Sequence, residues 1–237
     1  MGRLRYKIGL LKRILSFVIQ ENKWQDNNKY GLLESTAVFK KPCLIAEPSN
    51  VFIHKYSRLQ TGARILNYTG KFIIKPYAVC SDNLLVVTGN HVPTVGIPQF
   101  FLGTSHINDR ERDVVVEEGA WVGANVTLLS GVVVGRGAVV GAGSVVKATV
   151  PPYSVVSGNP AQIVASTFTI EQIIEHEKIV FAEDDRMTNK EIELLFSKYF
   201  VGMKAIGTSR IKDVDTNRYN ELLSFLEKKP YKCNYPS

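Results

Sequence analysis

Cysteine is scarce in these 237 residues: Cys43, Cys80 and Cys233 are the three present. An odd, scattered set excludes a disulfide framework and a CxxC metal or redox site, so a reducing cytoplasm is the default. Histidine is nearly as rare, with His54, His91, His106 and His176. These do not gather at zinc-ligand spacing, and no metal is expected. No apolar run reaches the ~18 residues that span a bilayer as a helix. The net charge is +7. No nucleic-acid motif accompanies it, so coenzyme phosphates or anionic lipid are the better partners. The start, MGRLRYKIGLLKRILSFVIQ, is basic and then apolar. Lys12 and Arg13 interrupt its apolar part and no small-residue cleavage site follows, so it reads as a helix rather than a signal peptide.

What the chain does have is a repeat. Val116, Val122, Leu128, Val134, Val140 and Val146 fall at every sixth position. Four residues after each stands Ala120, Val126, Val132, Ala138, Ser144 or Val150. A period of six fits neither a helix nor a continuous strand. It fits a short strand and a turn, repeated, with glycine and asparagine at the turns. One hexad cannot bury its apolar face alone, but stacked coils cover one another. The fold class is therefore mainly β, a hexapeptide solenoid of about five coils.

Taken in order, residues 1–42 read as an N-terminal helix over 4–20 and a linker. Leu4, Ile8, Leu11, Leu15 and Val18 form its apolar stripe. Capping of the first coil is the preferred role, and a peripheral contact with anionic lipid is the alternative. Residues 43–165 hold the solenoid, broken once by residues 89–113. That break keeps no register and carries Pro93, Pro98, Phe100, Phe101, His91 and His106. An irregular insertion this long reads as a functional loop. Residues 166–237 read as a helical extension, with capping boxes at Thr169–Gln172 and Thr188–Glu191.

The runs WVGANVTLLSGVVVGRGAVVGAGSVV and VPPYSVVSGNPA resemble the hexapeptide-repeat acyltransferases. The likeness is close to the branch containing galactoside, maltose and polysaccharide O-acetyltransferases, and it covers roughly residues 44–165. It implies a left-handed parallel β-helix, acetyl-CoA as co-substrate and a homotrimer with sites between prisms. It implies transfer of an acetyl group to a hydroxyl of a sugar or cell-surface glycan intermediate.

A sugar hydroxyl needs a general base, and histidine titrates in the right range. His91, in VVTGNHV, stands where a strand enters the loop. It resembles the family's catalytic histidine. Trp121 occupies the family's WxG position, and Ala124 and Ala142 match positions lining the pantetheine channel. Lys147 and Arg136 are candidates for the coenzyme phosphates. Asn67 and His106 are candidates for the acceptor. The chain departs from the family at Gln162 and Ala165, where basic residues are usual.

Three other readings stand beside this one. Transfer to serine or an amino sugar keeps the enzyme and changes the acceptor. A β-helical zinc carbonic anhydrase needs three gathered histidines. A non-catalytic scaffold needs neither base nor coenzyme.

Overall fold

A computed structural model describes residues 7–16, 27–105, 110–208 and 216–227. Each hexad forms one short strand and one turn, and three strands complete a coil. The first coil holds β1 (Leu32–Leu33), β2 (Val38–Phe39) and β3 (Leu44–Ile45). The second holds β4 (Val51–Ile53), β5 (Arg58–Leu59) and β6 (Arg64–Leu66). The third holds β7 (Phe72–Ile74), β8 (Val79–Cys80) and β9 (Leu85–Val87). After the loop come β10 (Val114–Val116), β11 (Trp121–Val122) and β12 (Thr127–Leu128). The fifth coil is β13 (Val133–Val134), β14 (Val139–Val140) and β15 (Val145–Val146).

Successive coils pair in parallel along three faces. The first sheet runs β1-β4-β7-β10-β13, and the third runs β3-β6-β9-β12-β15. The second sheet stacks β2, β5, β8, β11 and β14, then adds β16 (Ser154–Gly158) and β17 (Ala161–Ser166). β17 folds back antiparallel on β16. That return covers an edge that would otherwise offer bare amides to a neighbour. Five coils at the inter-strand spacing make a prism ~24 Å tall.

All six hexad residues from Val116 to Val146 are buried, and so are their partners from Ala120 to Val150. Each coil therefore sends two side chains per hexad into a shared axis. Burying each large one contributes about 1.5–3 kcal/mol. Cys80 is part of this axis, where burial pushes its thiol up to about 12.

The coils start earlier than the sequence suggested. β1 and β2 lie inside residues 21–42, the stretch read as linker. Leu33, Phe39 and Ile45 already keep the six-residue spacing. A 3-10 turn at Pro48–Asn50 then adds residues before β4 and hides the continuity.

Helix α1 (residues 7–16) is exposed along its whole length. The rest of the helix expected over 4–20 lies outside the described residues, and α1 buries no side chain against a coil. Its apolar residues, including Leu11 at 67% exposure, meet solvent. Helix α2 (Gln99–Ser105) lies in the loop. The extension contains α3 (Ile170–Val180), α4 (Asn189–Tyr199) and α5 (Thr216–Glu227). Both expected capping boxes form, at Thr169–Gln172 and Thr188–Glu191. Ile173, Ile192, Leu195 and Phe200 pack with Tyr153 at the last coil.

A candidate active site on the interrupted solenoid

The loop leaves the corner between the third and first sheets after β9 and returns at β10. Its base is a short two-rung stem. Arg110 N donates to Asn90 O at 3.0 Å, and Arg112 N donates to Thr88 O at 3.1 Å. His91 is the next residue beyond the outer rung and is exposed. Further out, Leu102 is buried while Phe100 and Phe101 are exposed. Their rings meet edge-on at 5.4 Å. His106 lies outside the described residues.

Carboxylates hold the stem from the returning side. Glu111 Oε2 accepts from Thr69 N at 2.8 Å and Gly70 N at 2.6 Å. The Thr88 hydroxyl donates to the same oxygen at 3.1 Å. Partial burial alone would raise the Glu111 pKa. The bonds from Gly70, Thr69 and Thr88 outweigh it and hold the carboxyl below its usual range. Asp113 Oδ1 accepts from Lys71 N at 2.8 Å. A Cβ at Gly70 would fall 2.7 Å from Thr88 Cβ, so the stem needs glycine there.

The residues expected to hold coenzyme lie mostly on another part of the prism. Trp121 pairs between Val79 and Val139 in the second sheet, and its side chain is 57% exposed. Ala124 and Ala142 share the corner between the second and third sheets, one coil apart. Gly143 N donates to Ala124 O at 2.8 Å across that step. The corner is bare and tight: a Cβ at Gly123 would meet Ala142 N at 2.7 Å. Such a surface suits close approach of a narrow chain. Lys147 is exposed just after β15.

Two expected ligand residues have partners within the chain. Arg136 is engaged by the C-terminal helices. Its guanidinium bonds Glu177 at 3.2 Å and the Asp185 carbonyl at 2.7 Å, and lies 4.0 Å from the Phe181 ring centroid. It also faces Glu118 at 3.7 Å. This fastens the C-terminal helices to the prism. Asn67, expected to meet the acceptor, is fully buried. It exchanges two bonds with the Glu47 backbone, at 3.2 Å and 2.9 Å. That pairing stitches two turns together and leaves no amide for a substrate.

His54 and His176 are not at the loop. His54 is half-buried beside Glu34 at 3.5 Å, and His176 packs among Tyr153, Phe168 and Phe181. Burial lowers the pKa of both. Glu111, Asp113 and Arg112 were missed from sequence. The available signal was the RERD run standing directly before the first regular hexad.

In one copy, His91 and Trp121 do not share a face. His91 leaves the corner between the third and first sheets, and Trp121 stands on the second sheet, opposite that corner. Among the described residues no cluster could hold a metal ion.

Comparison with known proteins fits this architecture. Residues 113–148 match the family described as bacterial transferase hexapeptide (six repeats). That match covers the most regular hexads, and the fold is the left-handed parallel β-helix of solved hexapeptide-repeat acetyltransferases. Over 61 residues the chain is 44% identical to a probable macrolide acetyltransferase of Lysinibacillus sphaericus, covering 26% of this chain and 34% of that protein. Among solved structures, a hexapeptide-repeat acetyltransferase of Vibrio cholerae complexed with acetyl-CoA aligns with a TM-score of 0.55. It is 22% identical, over 63% of this chain and 78% of that one. A maltose O-acetyltransferase of Clostridium difficile 630 aligns with a TM-score of 0.54 and 19% identity, over 60% of this chain and 73% of that one. The chain spans about a third or less of the length of the curated relatives it matches.

Proposed function

We propose that this chain is an acetyl-CoA-dependent O-acetyltransferase acting on a hydroxyl of a sugar or cell-surface glycan intermediate. The observation that carries the reading is the single long interruption of a regular solenoid, with a histidine at its stem. A strand end can aim an imidazole, and an overhanging loop can exclude water. The names of the relatives, acetyltransferases with several acceptors, support the reaction class.

In this reading His91 takes the proton of the acceptor hydroxyl as its oxygen attacks the thioester carbonyl. The tetrahedral intermediate then collapses. The carbon–sulfur bond breaks, the proton passes to the thiolate, and an acetyl ester and CoA leave. No covalent enzyme intermediate is needed when both substrates bind together. Trp121, Ala124 and Ala142 form the surface for the pantetheine arm, and Lys147 offers a cation to the phosphates.

Because His91 and Trp121 occupy opposite parts of one prism, a complete site needs a second copy. A homotrimer, with the loop of one prism set beside the Trp121 face of the next, is part of the proposal. So is a cytoplasmic location. The exposed stripe of α1, with Lys12 and Arg13 beside it, supports a contact with anionic lipid. Among the described residues no helix is long and apolar enough to cross a membrane.

A screen with labelled acetyl-CoA tests the function. Sugars and glycan intermediates should become labelled; serine and amino sugars are the competing acceptors. Label on serine alone would overturn the sugar assignment. No acetyl-CoA turnover with any acceptor would overturn the enzyme.

A further inference from the structure

Three consecutive backbone amides, those of Thr69, Gly70 and Lys71, point at two carboxylates from the loop's returning limb. Glu111 takes the first two and Asp113 takes the third. Arg112, between them, sends Nη2 to the Ser130 carbonyl at 3.3 Å in the coil that follows. Arg110 contributes the outer backbone rung. One four-residue run thus joins three successive coils at the corner from which the loop departs.

Three bonds from this run act on the incoming limb, which carries His91: the outer rung from Arg110 N to Asn90 O and two at Thr88. The Glu111 carboxylate holds the Thr88 hydroxyl, and Arg112 N closes on the Thr88 carbonyl. The bonds to the Glu111 carboxylate are charge-assisted, a kind roughly twice as strong as neutral ones. The partners lie 41 and 42 residues apart in the chain, so the bonds close the break in the solenoid rather than decorate a local turn.

We propose that Glu111 is a positioning residue for His91: by clasping the Thr69–Gly70 amides and the Thr88 hydroxyl, it fixes the stem from which the imidazole projects. This rests on the reading of His91 as the base. A base is useful only when its ring sits within hydrogen-bond reach of the acceptor. Beyond Thr88 the two limbs meet again at the rung from Arg110 N to Asn90 O, so the clasp and that rung together set where the limb runs. Losing the clasp lets the limb shift, and a displacement of about 1 Å at a reacting group costs on the order of a hundredfold in rate.

The test uses the full chain, with acetyl-CoA and with maltose or a galactoside as probe acceptors. Wild type, Glu111→Ala, Glu111→Gln and His91→Ala are compared by steady-state kinetics and amide hydrogen exchange. Glu111→Ala should lower kcat on the order of a hundredfold and leave KM for acetyl-CoA within about twofold. Exchange should quicken at residues 69–71 and 88–91 and stay unchanged in the other coils. Glu111→Gln, which keeps an oxygen for the same donors, should recover most of kcat. Unchanged exchange at residues 88–91 would overturn the clasp. So would faster exchange through the whole prism, because that marks general destabilisation. If His91→Ala keeps full turnover, the base assignment falls and this role falls with it. If turnover depends on His91 but Glu111→Ala is kinetically normal, the clasp alone is overturned.

Discussion

Arg136 lies against Glu177 at 3.2 Å, although 41 residues separate them. Glu177 is 1% exposed and also receives the Tyr153 hydroxyl and Met187 N. Burial, followed by the bond to Glu177, raises the Tyr153 pKa, so the phenol keeps its proton. The pair marks where the last coil ends and the helical extension begins.

Removing the arginine should therefore harm stability more than coenzyme binding. Arg136→Ala leaves a buried carboxylate without its cation, a loss of about 3–5 kcal/mol. Urea unfolding followed by circular dichroism measures it. KM for acetyl-CoA should change little, because the guanidinium faces Glu177 and not a ligand. A large rise in KM with unchanged stability would restore Arg136 to the phosphate site.

Inward and outward hexad positions should separate cleanly. Leu128→Ala empties a fully buried axial site and should cost about 2–5 kcal/mol in chemical unfolding. Trp121→Ala, at an exposed position, should stay within about 0.5 kcal/mol. Its effect should appear as a raised KM for acetyl-CoA. The two variants together distinguish the axis of the prism from its binding surface.

Stability should fall on mild acidification. Burial lowers the His54 and His176 pKa values below the ordinary 6.5, with the neighbouring glutamates only partly opposing it. Between the folded value and 6.5 the unfolded chain binds more protons than the folded one. The stabilising contribution is thus fully present above 6.5 and is lost as pH drops through the folded values. The urea midpoint should be lower at pH 5.5 than at pH 7.5. His176→Gln, compared with wild type at both values, should reduce that difference.

How much of this was legible depended on distance along the chain. The axis was readable because Val116 through Val146 repeat at a fixed step, and a fixed step is what stacking requires. Cys80, fully buried on the axis, keeps the same six-residue step. The capping boxes were readable because Thr169 and Gln172 are three residues apart. Leu33 and Phe39 were missed because the turn at Pro48–Asn50 shifts the register before the regular run begins. The pairings of Asn67 and Arg136 were not legible for a different reason. Their partners, Glu47 and Glu177, lie 20 and 41 residues away, and no local pattern announces such pairs. Glu111 belongs with them, since its donors sit across the whole loop.

CoA-thiol release from acetyl-CoA in the presence of a sugar acceptor, with wild type and His91→Ala side by side, tests the transfer most directly. Acceptor-dependent release should fall by about 10²–10⁴-fold in the variant, with the circular dichroism spectrum unchanged. Release at the wild-type rate from the folded variant would contradict it.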